Sequence, residues 1–168
     1  GIVNKEFETL NRETISKIIE GTRSVSYNNQ MHVNFEHFYN LPFTSLNEFS
    51  SENLNLLRQK LSCELVSNLR ANIEGKLFYI EAPTGSGKTN LSLLALSELL
   101  VTNPNVKKIF YVFPFTSLIT QTIQTLKRDL KLNDNEISEI HSKAPFNSFD
   151  EESNYGDLRK YYIDSLFI

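Results

Sequence analysis

Eight consecutive residues, Ala82-Pro83-Thr84-Gly85-Ser86-Gly87-Lys88-Thr89, put two glycines, a lysine and a hydroxyl at the spacing of a phosphate-binding loop, with Ala in place of the first Gly. Gly85 and Gly87 let the backbone curl so that successive N–H groups point inward at phosphate oxygens. Lys88 carries the charge for the β- and γ-phosphates, and the Thr89 hydroxyl is a candidate ligand for Mg²⁺. Pro83, Thr84, Ser86 and Asn90 complete the candidate contacts to a nucleoside triphosphate. The chemistry this implies is nucleoside triphosphate binding with Mg²⁺, with Lys88 and Thr89 as the residues that act on the phosphates.

Such a loop works only between a strand and a helix. "KLFYIEA" enters it as a short apolar run rich in strand formers, the composition of a buried parallel strand. "NLSLLALSELLV" leaves it as a helix that Asn103-Pro104 ends, adding the positive end of its dipole to the site. "VKKIFYVFPF" reads as a second buried strand closed by Pro114, "SLITQTIQTLKRDL" as a second helix, and "ISEIH" as a possible third strand. Strand, helix, strand, helix, strand at this spacing predicts βαβ units. The expected fold class is α/β: a RecA-like parallel sheet with flanking helices, incomplete, preceded by a helical N-terminal segment.

Upstream, Phe7, Leu10, Ile15, Ile18 and Ile19 fall mostly on one helical face before Gly21. The stretch from Thr22 to Ser50 is polar, aromatic and irregular, with Pro42 as a breaker. It reads as a connecting segment packed through Phe35, Phe38, Tyr39 and Phe43. A long helix follows, capped by Ser50 or Ser51, with Leu54, Leu57, Leu61, Leu65, Leu69 and Ile73 along one face and Gly75 at its stop. The expected division is residues 1–50 as an N-terminal linker segment and 51–168 as an ATP-binding domain.

"APTGSGKT" resembles motif I of superfamily-two helicases, and "VFPFTSLITQT" resembles their motif Ia through Pro114, Leu118 and Gln121. A closer resemblance is to the CRISPR-associated helicase–nuclease of type I systems, the effector recruited after Cascade opens its DNA target. "LFYIEAPTGSGKTN", "YVFPFTSLITQT" and "IHSKA" look like consecutive blocks of that family's first motor domain, and "NLLRQKLSCELVSNL" like the helix before it. The resemblance covers roughly Asn53 to Ile168 and is strongest from Leu77 to Ala144. It implies an ATP-driven translocase on single-stranded DNA, with a Cascade-type surveillance complex as partner. It also implies an adenine contact from Arg58 or Gln59.

In that setting Pro114, Phe115, Thr116, Ser117 and Gln121 are candidate DNA contacts. Hydroxyls and N–H groups at a helix start can grip a backbone phosphate. The same hydroxyls would serve equally as an ordinary N-cap. His141, Ser142 and Lys143 form a second candidate backbone contact. A restriction-type translocase is an alternative, since its motor blocks look similar. So is a non-catalytic nucleotide- or DNA-binding module.

A net charge of −3 argues against a protein that coats nucleic acid, but leaves room for local phosphate contacts. The single cysteine, Cys63, excludes an internal disulfide framework and reads as a small core residue. With no signal peptide and no apolar run long enough to span a bilayer, the expected location is the cytoplasm, away from membrane. Asp150, Glu151 and Glu152 are the nearest candidates for the acidic pair of a motor. "SKAPFNS" before them contains Pro145 and cannot be the buried strand such a pair needs, so they read as a solvated loop. The acidic motif, a second lobe with its arginine finger, and the nuclease domain are expected beyond Ile168. His32 and His37 lack metal-site company and read as surface or packing residues.

Overall fold

A computed structural model of the chain describes residues 10–46, 50–113, 116–134, 136–138 and 166–167. The chain divides into two compact units, residues 18–104 in one and residues 1–17 with 105–168 in the other.

The unit of residues 18–104 is helical. It holds the end of α1 (Arg12–Ser24), then α2 (Ser26–Val33), α3 (Phe35–Tyr39), a 3-10 turn (Phe43–Leu46), α4 (Ser51–Ala71) and α5 (Lys88–Thr102). The first helix runs through Gly21 rather than ending there, and the stretch expected to be irregular holds the end of α1, all of α2 and α3, and the 3-10 turn. Its local signal is weak because few of its residues make an apolar stripe. What holds it is tertiary: Met31 on α2 and Phe38 on α3 are buried against Cys63, Val66 and Leu94, with Phe35, Leu56 and Leu65 packed around them.

Ser50 is the cap of α4, its hydroxyl accepting the Asn53 N–H at 3.0 Å. The helix stops at Asn72, before Gly75, whose own N–H donates to the Asn72 carbonyl at 2.8 Å. The buried residues of α4 are Gln59, Lys60, Ser62, Cys63, Val66 and Leu69, whereas Leu54, Leu57, Leu61 and Leu65 are only half-buried. The expected leucine stripe is therefore not the most buried face. With α2, α3, the 3-10 turn and α5 all against it, α4 buries what its neighbours cover, polar residues included.

Gln59 and Lys60 are partnered, as burial demands, whereas the buried Ser62 hydroxyl has no hydrogen-bond partner among the described residues. Lys60 donates to the Tyr39 carbonyl at 3.0 Å, pairs with Glu64 at 3.2 Å, and sits 4.6 Å from the Phe43 ring centre. Glu98, buried on α5, is held by Arg70 at 2.9 Å. Burial pushes the Cys63 thiol up to about 11, consistent with an unreactive core position.

The expected RecA-like sheet, built from the strands before α5 and α6, is not there among the described residues, and that expectation is corrected accordingly. Residues 77–82 run without helix or strand, with Leu77 92% and Tyr79 85% exposed. Residues 106–113 contain a single isolated bridge at Phe110, and Val112 is 84% exposed. β-branched and aromatic residues favour an extended backbone, but a ladder needs partner strands, which no local sequence supplies. Tyr111 and Phe113 instead stack on each other, ring centres 4.6 Å apart.

In the other unit, α6 (Thr116–Leu130) buries Ile119, Ile123, Leu126 and Leu130, a stripe of period three to four. β1 (Ile137–Ser138) pairs in parallel with β2 (Leu166–Phe167), Ile137 opposite Leu166. This pair is the one sheet among the described residues. It falls at the start of the third expected strand and within the apolar end of the chain. Glu136, just before β1, accepts from Thr14 at 2.6 Å, from Lys17 at 3.1 Å and from the Asn133 N–H at 2.7 Å. Burial works against its charge, but these donors together hold its carboxyl below the usual range.

Candidate nucleotide-binding site

The loop is built on two left-handed glycines. Pro83 to Ser86 forms a tight turn in which the Ser86 N–H and hydroxyl both donate to the Pro83 carbonyl, at 3.3 and 2.7 Å. Gly85 takes the third position of that turn with φ 82°, the left-handed value a type II turn requires there. A Cβ on Gly85 would meet nothing within 4 Å, so backbone conformation rather than crowding demands glycine. Gly87 follows at φ 84° and is the N-cap of α5, making no side-chain cap bond.

That missing cap matters. The first N–H groups of a helix have no intrahelical partner, and a glycine cap leaves them to an outside acceptor. Fifteen residues of α5 align their peptide dipoles toward the same end. Lys88 and Thr89, both exposed, form the first turn, so a cation and a hydroxyl stand where an anion is favoured. The donor set fits phosphate. For Mg²⁺ it supplies one hydroxyl, from Thr89, which suits a cation that keeps several waters and takes phosphate oxygens as ligands. Among the described residues no group of three or more His, Cys, Asp or Glu could hold a metal ion by itself.

Three other expected contacts have protein partners. Arg58 donates from Nε and Nη2 to the Gly85 carbonyl, at 3.3 and 3.0 Å. Gln59 is buried and donates to Gln30 Oε1 at 2.6 Å. Asn90 and Asn28 exchange amide hydrogen bonds, each at 2.9 Å, while Asn28 also donates to the Thr22 carbonyl at 2.8 Å. Asn28 is fully buried, so α2 is locked to the first turn of α5 through a reciprocal amide pair. Neither Asn28 nor Gln30 carried a signal in the sequence: an asparagine and a glutamine in a polar run look like a surface.

The candidate DNA contacts are placed less fully. Helix α6 begins at Thr116, with Ser117 and Gln121 exposed on its first two turns. Pro114, Phe115, His141, Ser142 and Lys143 lie outside the described residues, as do Asp150, Glu151 and Glu152. His32 is half-buried, and burial, with Arg23 next, holds it below its ordinary value. His37 packs edge-on to Phe38, ring centres 5.1 Å apart.

A glycine-built turn that opens onto an uncapped helix with Lys and Thr in its first turn is a candidate phosphate-binding loop. Residues 59–162 match the family profile of the DEAD/DEAH box helicases, and the chain belongs to that family. Its members are superfamily-two helicase motors that run on ATP, typically with Mg²⁺. No curated protein and no solved structure matches the chain. Among the described residues no helix is long and apolar enough to cross a membrane.

Proposed function

We propose that the chain is the ATP-binding lobe of a DNA helicase or translocase that acts on single-stranded DNA in type I CRISPR interference. The observation that carries the nucleotide part is the Gly85–Gly87 turn delivering Lys88 and Thr89 to the uncapped start of α5. The CRISPR part rests on the resemblance of "LFYIEAPTGSGKTN", "YVFPFTSLITQT" and "IHSKA" to that family's motor blocks.

On this reading the N–H groups of the α5 start bind the phosphates without any protein rearrangement of charge. Lys88 would neutralise the β- and γ-phosphate oxygens that flank the breaking P–O bond, and the Thr89 hydroxyl would serve as a Mg²⁺ ligand. Bound Mg·ATP supplies the phosphoryl group whose transfer to water drives movement. Ser117 and Gln121 face solvent where a strand backbone could run, and phosphate contacts of that kind carry no base information. A Cascade-type complex would deliver the opened strand.

The test is Lys88→Ala, assayed for ATP hydrolysis with and without single-stranded DNA in the protein with its second motor lobe present. DNA-stimulated turnover should fall by at least ~10³-fold, the scale on which charged γ-phosphate contacts act, with unchanged circular dichroism. Wild-type turnover in the variant would remove the loop from the catalytic site.

A further inference from the structure

Arg58 lies on the second turn of α4, 27 residues before the glycine whose carbonyl it holds. Its guanidinium is itself steadied from the same helix: Nη1 donates to Asn55 Oδ1 at 3.1 Å, one turn earlier. Three donors are thus in use, two on the loop and one on the support. Lower down, α4 is anchored in the core by the buried side chains of Cys63 and Val66, so the arginine projects from a fixed element.

The consequence follows from the planarity of the peptide bond. The Gly85 carbonyl and the Ser86 N–H belong to one rigid unit and point opposite ways. Holding the carbonyl toward Arg58 sets the direction of the Ser86 N–H, which closes the turn on Pro83. It also fixes the peptide one residue ahead of Gly87, the cap of α5. Glycine, free to rotate, would otherwise let this peptide flip at small cost. A planar fork with two N–H donors on one carbonyl resists that flip better than a single point donor would.

We infer that Arg58 is a positioning residue, a clasp that presets the phosphate loop by gripping the Gly85 carbonyl rather than reading the base. The inference rests on the nucleotide-binding reading above, and it assigns Arg58 to the phosphates' end of the ligand. A residue that orients the loop affects every ligand that uses the loop. A residue that contacts adenine affects only ligands that carry adenine.

That difference gives the experiment. The full 168-residue chain, with Arg58→Ala, Arg58→Lys and Asn55→Ala, is titrated calorimetrically with Mg·ADP and with Mg·tripolyphosphate, which has no base. Amide hydrogen exchange over residues 84–88 is measured without any ligand. Arg58→Ala should weaken both ligands by the same factor, about fivefold for hydrogen bonds from a charged donor at a solvent-exposed site. Arg58→Lys should recover part of the loss, and Asn55→Ala should show a smaller loss for both ligands. Exchange at 84–88 should quicken in Arg58→Ala. A loss confined to Mg·ADP, or no loss for either ligand, overturns the clasp. If the wild-type chain binds neither ligand, the nucleotide-binding reading fails and the exchange data alone judge the clasp: unchanged protection overturns it, and faster exchange upholds it.

Discussion

The helix that begins at Lys88 and the helix that begins at Thr116 are each preceded by a stretch without helix, and they are held by different means. Helix α5 buries Leu91, Leu93, Leu94, Ser97, Glu98 and Leu100, positions spread around much of its circumference. Its first turn is tied from outside by Asn28 through Asn90, and the loop before it by Arg58 through the Gly85 carbonyl. Helix α6 is two-faced. A single apolar stripe, Ile119 to Leu130, is buried, and its opening turns carry exposed Ser117, Leu118 and Gln121. A helix start clamped on several sides can present its N–H groups in one fixed arrangement, as tight anion binding requires. A start held by one stripe tolerates a ligand of variable course, as a flexible single strand has.

If that contrast is right, the amide pair is where the first helix start is most vulnerable. Asn28→Ala leaves the half-buried Asn90 amide without its donor and its acceptor, and the Thr22 carbonyl without its donor. A cost of about 2 kcal/mol to unfolding is expected, since orphaned buried polar groups carry their full desolvation penalty. Chemical denaturation of Asn28→Ala, Asn90→Ala and the double variant would show the coupling. The double variant should lose less than the two single losses added together. Strict additivity with small single effects would mean that the lock contributes nothing.

The second helix start should respond more weakly and only to DNA. Changing Thr116 and Ser117 together to Ala should reduce single-stranded DNA affinity by roughly three- to tenfold, equally for all sequences, because backbone contacts position rather than specify. Mg·ADP affinity should not move. A filter-binding titration with unchanged DNA affinity, or with a loss restricted to some sequences, would contradict the assignment and blur the contrast between the two starts.

The two regions were also unequally legible. The turn into α5 could be read because its signal is local. Gly85 and Gly87 must adopt positive φ, Lys88 must follow, and a leucine-rich helix must come next, all within a dozen residues. The end of α5 at Asn103 and the helical character of α6 were readable for the same reason. The sheet was not, because Leu77, Tyr79 and Val112 report only a preference for extended backbone, and pairing depends on residues far away in the chain. The buried face of α4 escaped as well. The leucines at 54, 57, 61 and 65 make the more obvious stripe, but α2, α3 and α5 pack where Gln59, Ser62, Cys63 and Val66 lie. Partners such as Asn28 and Gln30 had no local signal at all, since their roles exist only through Asn90 and Gln59.

The central claim, that the turn from Pro83 into α5 holds nucleotide phosphates, is tested most directly by backbone amide chemical shifts. A ¹H–¹⁵N spectrum of the 168-residue chain would be recorded as Mg·ADP is added, with Lys88→Ala alongside. The largest and saturable shifts should fall on Gly85 to Thr89, and the same amides in Lys88→Ala should need a much higher ligand concentration to move. Shifts centred anywhere else, or a loop that stays silent at millimolar Mg·ADP, would contradict the account.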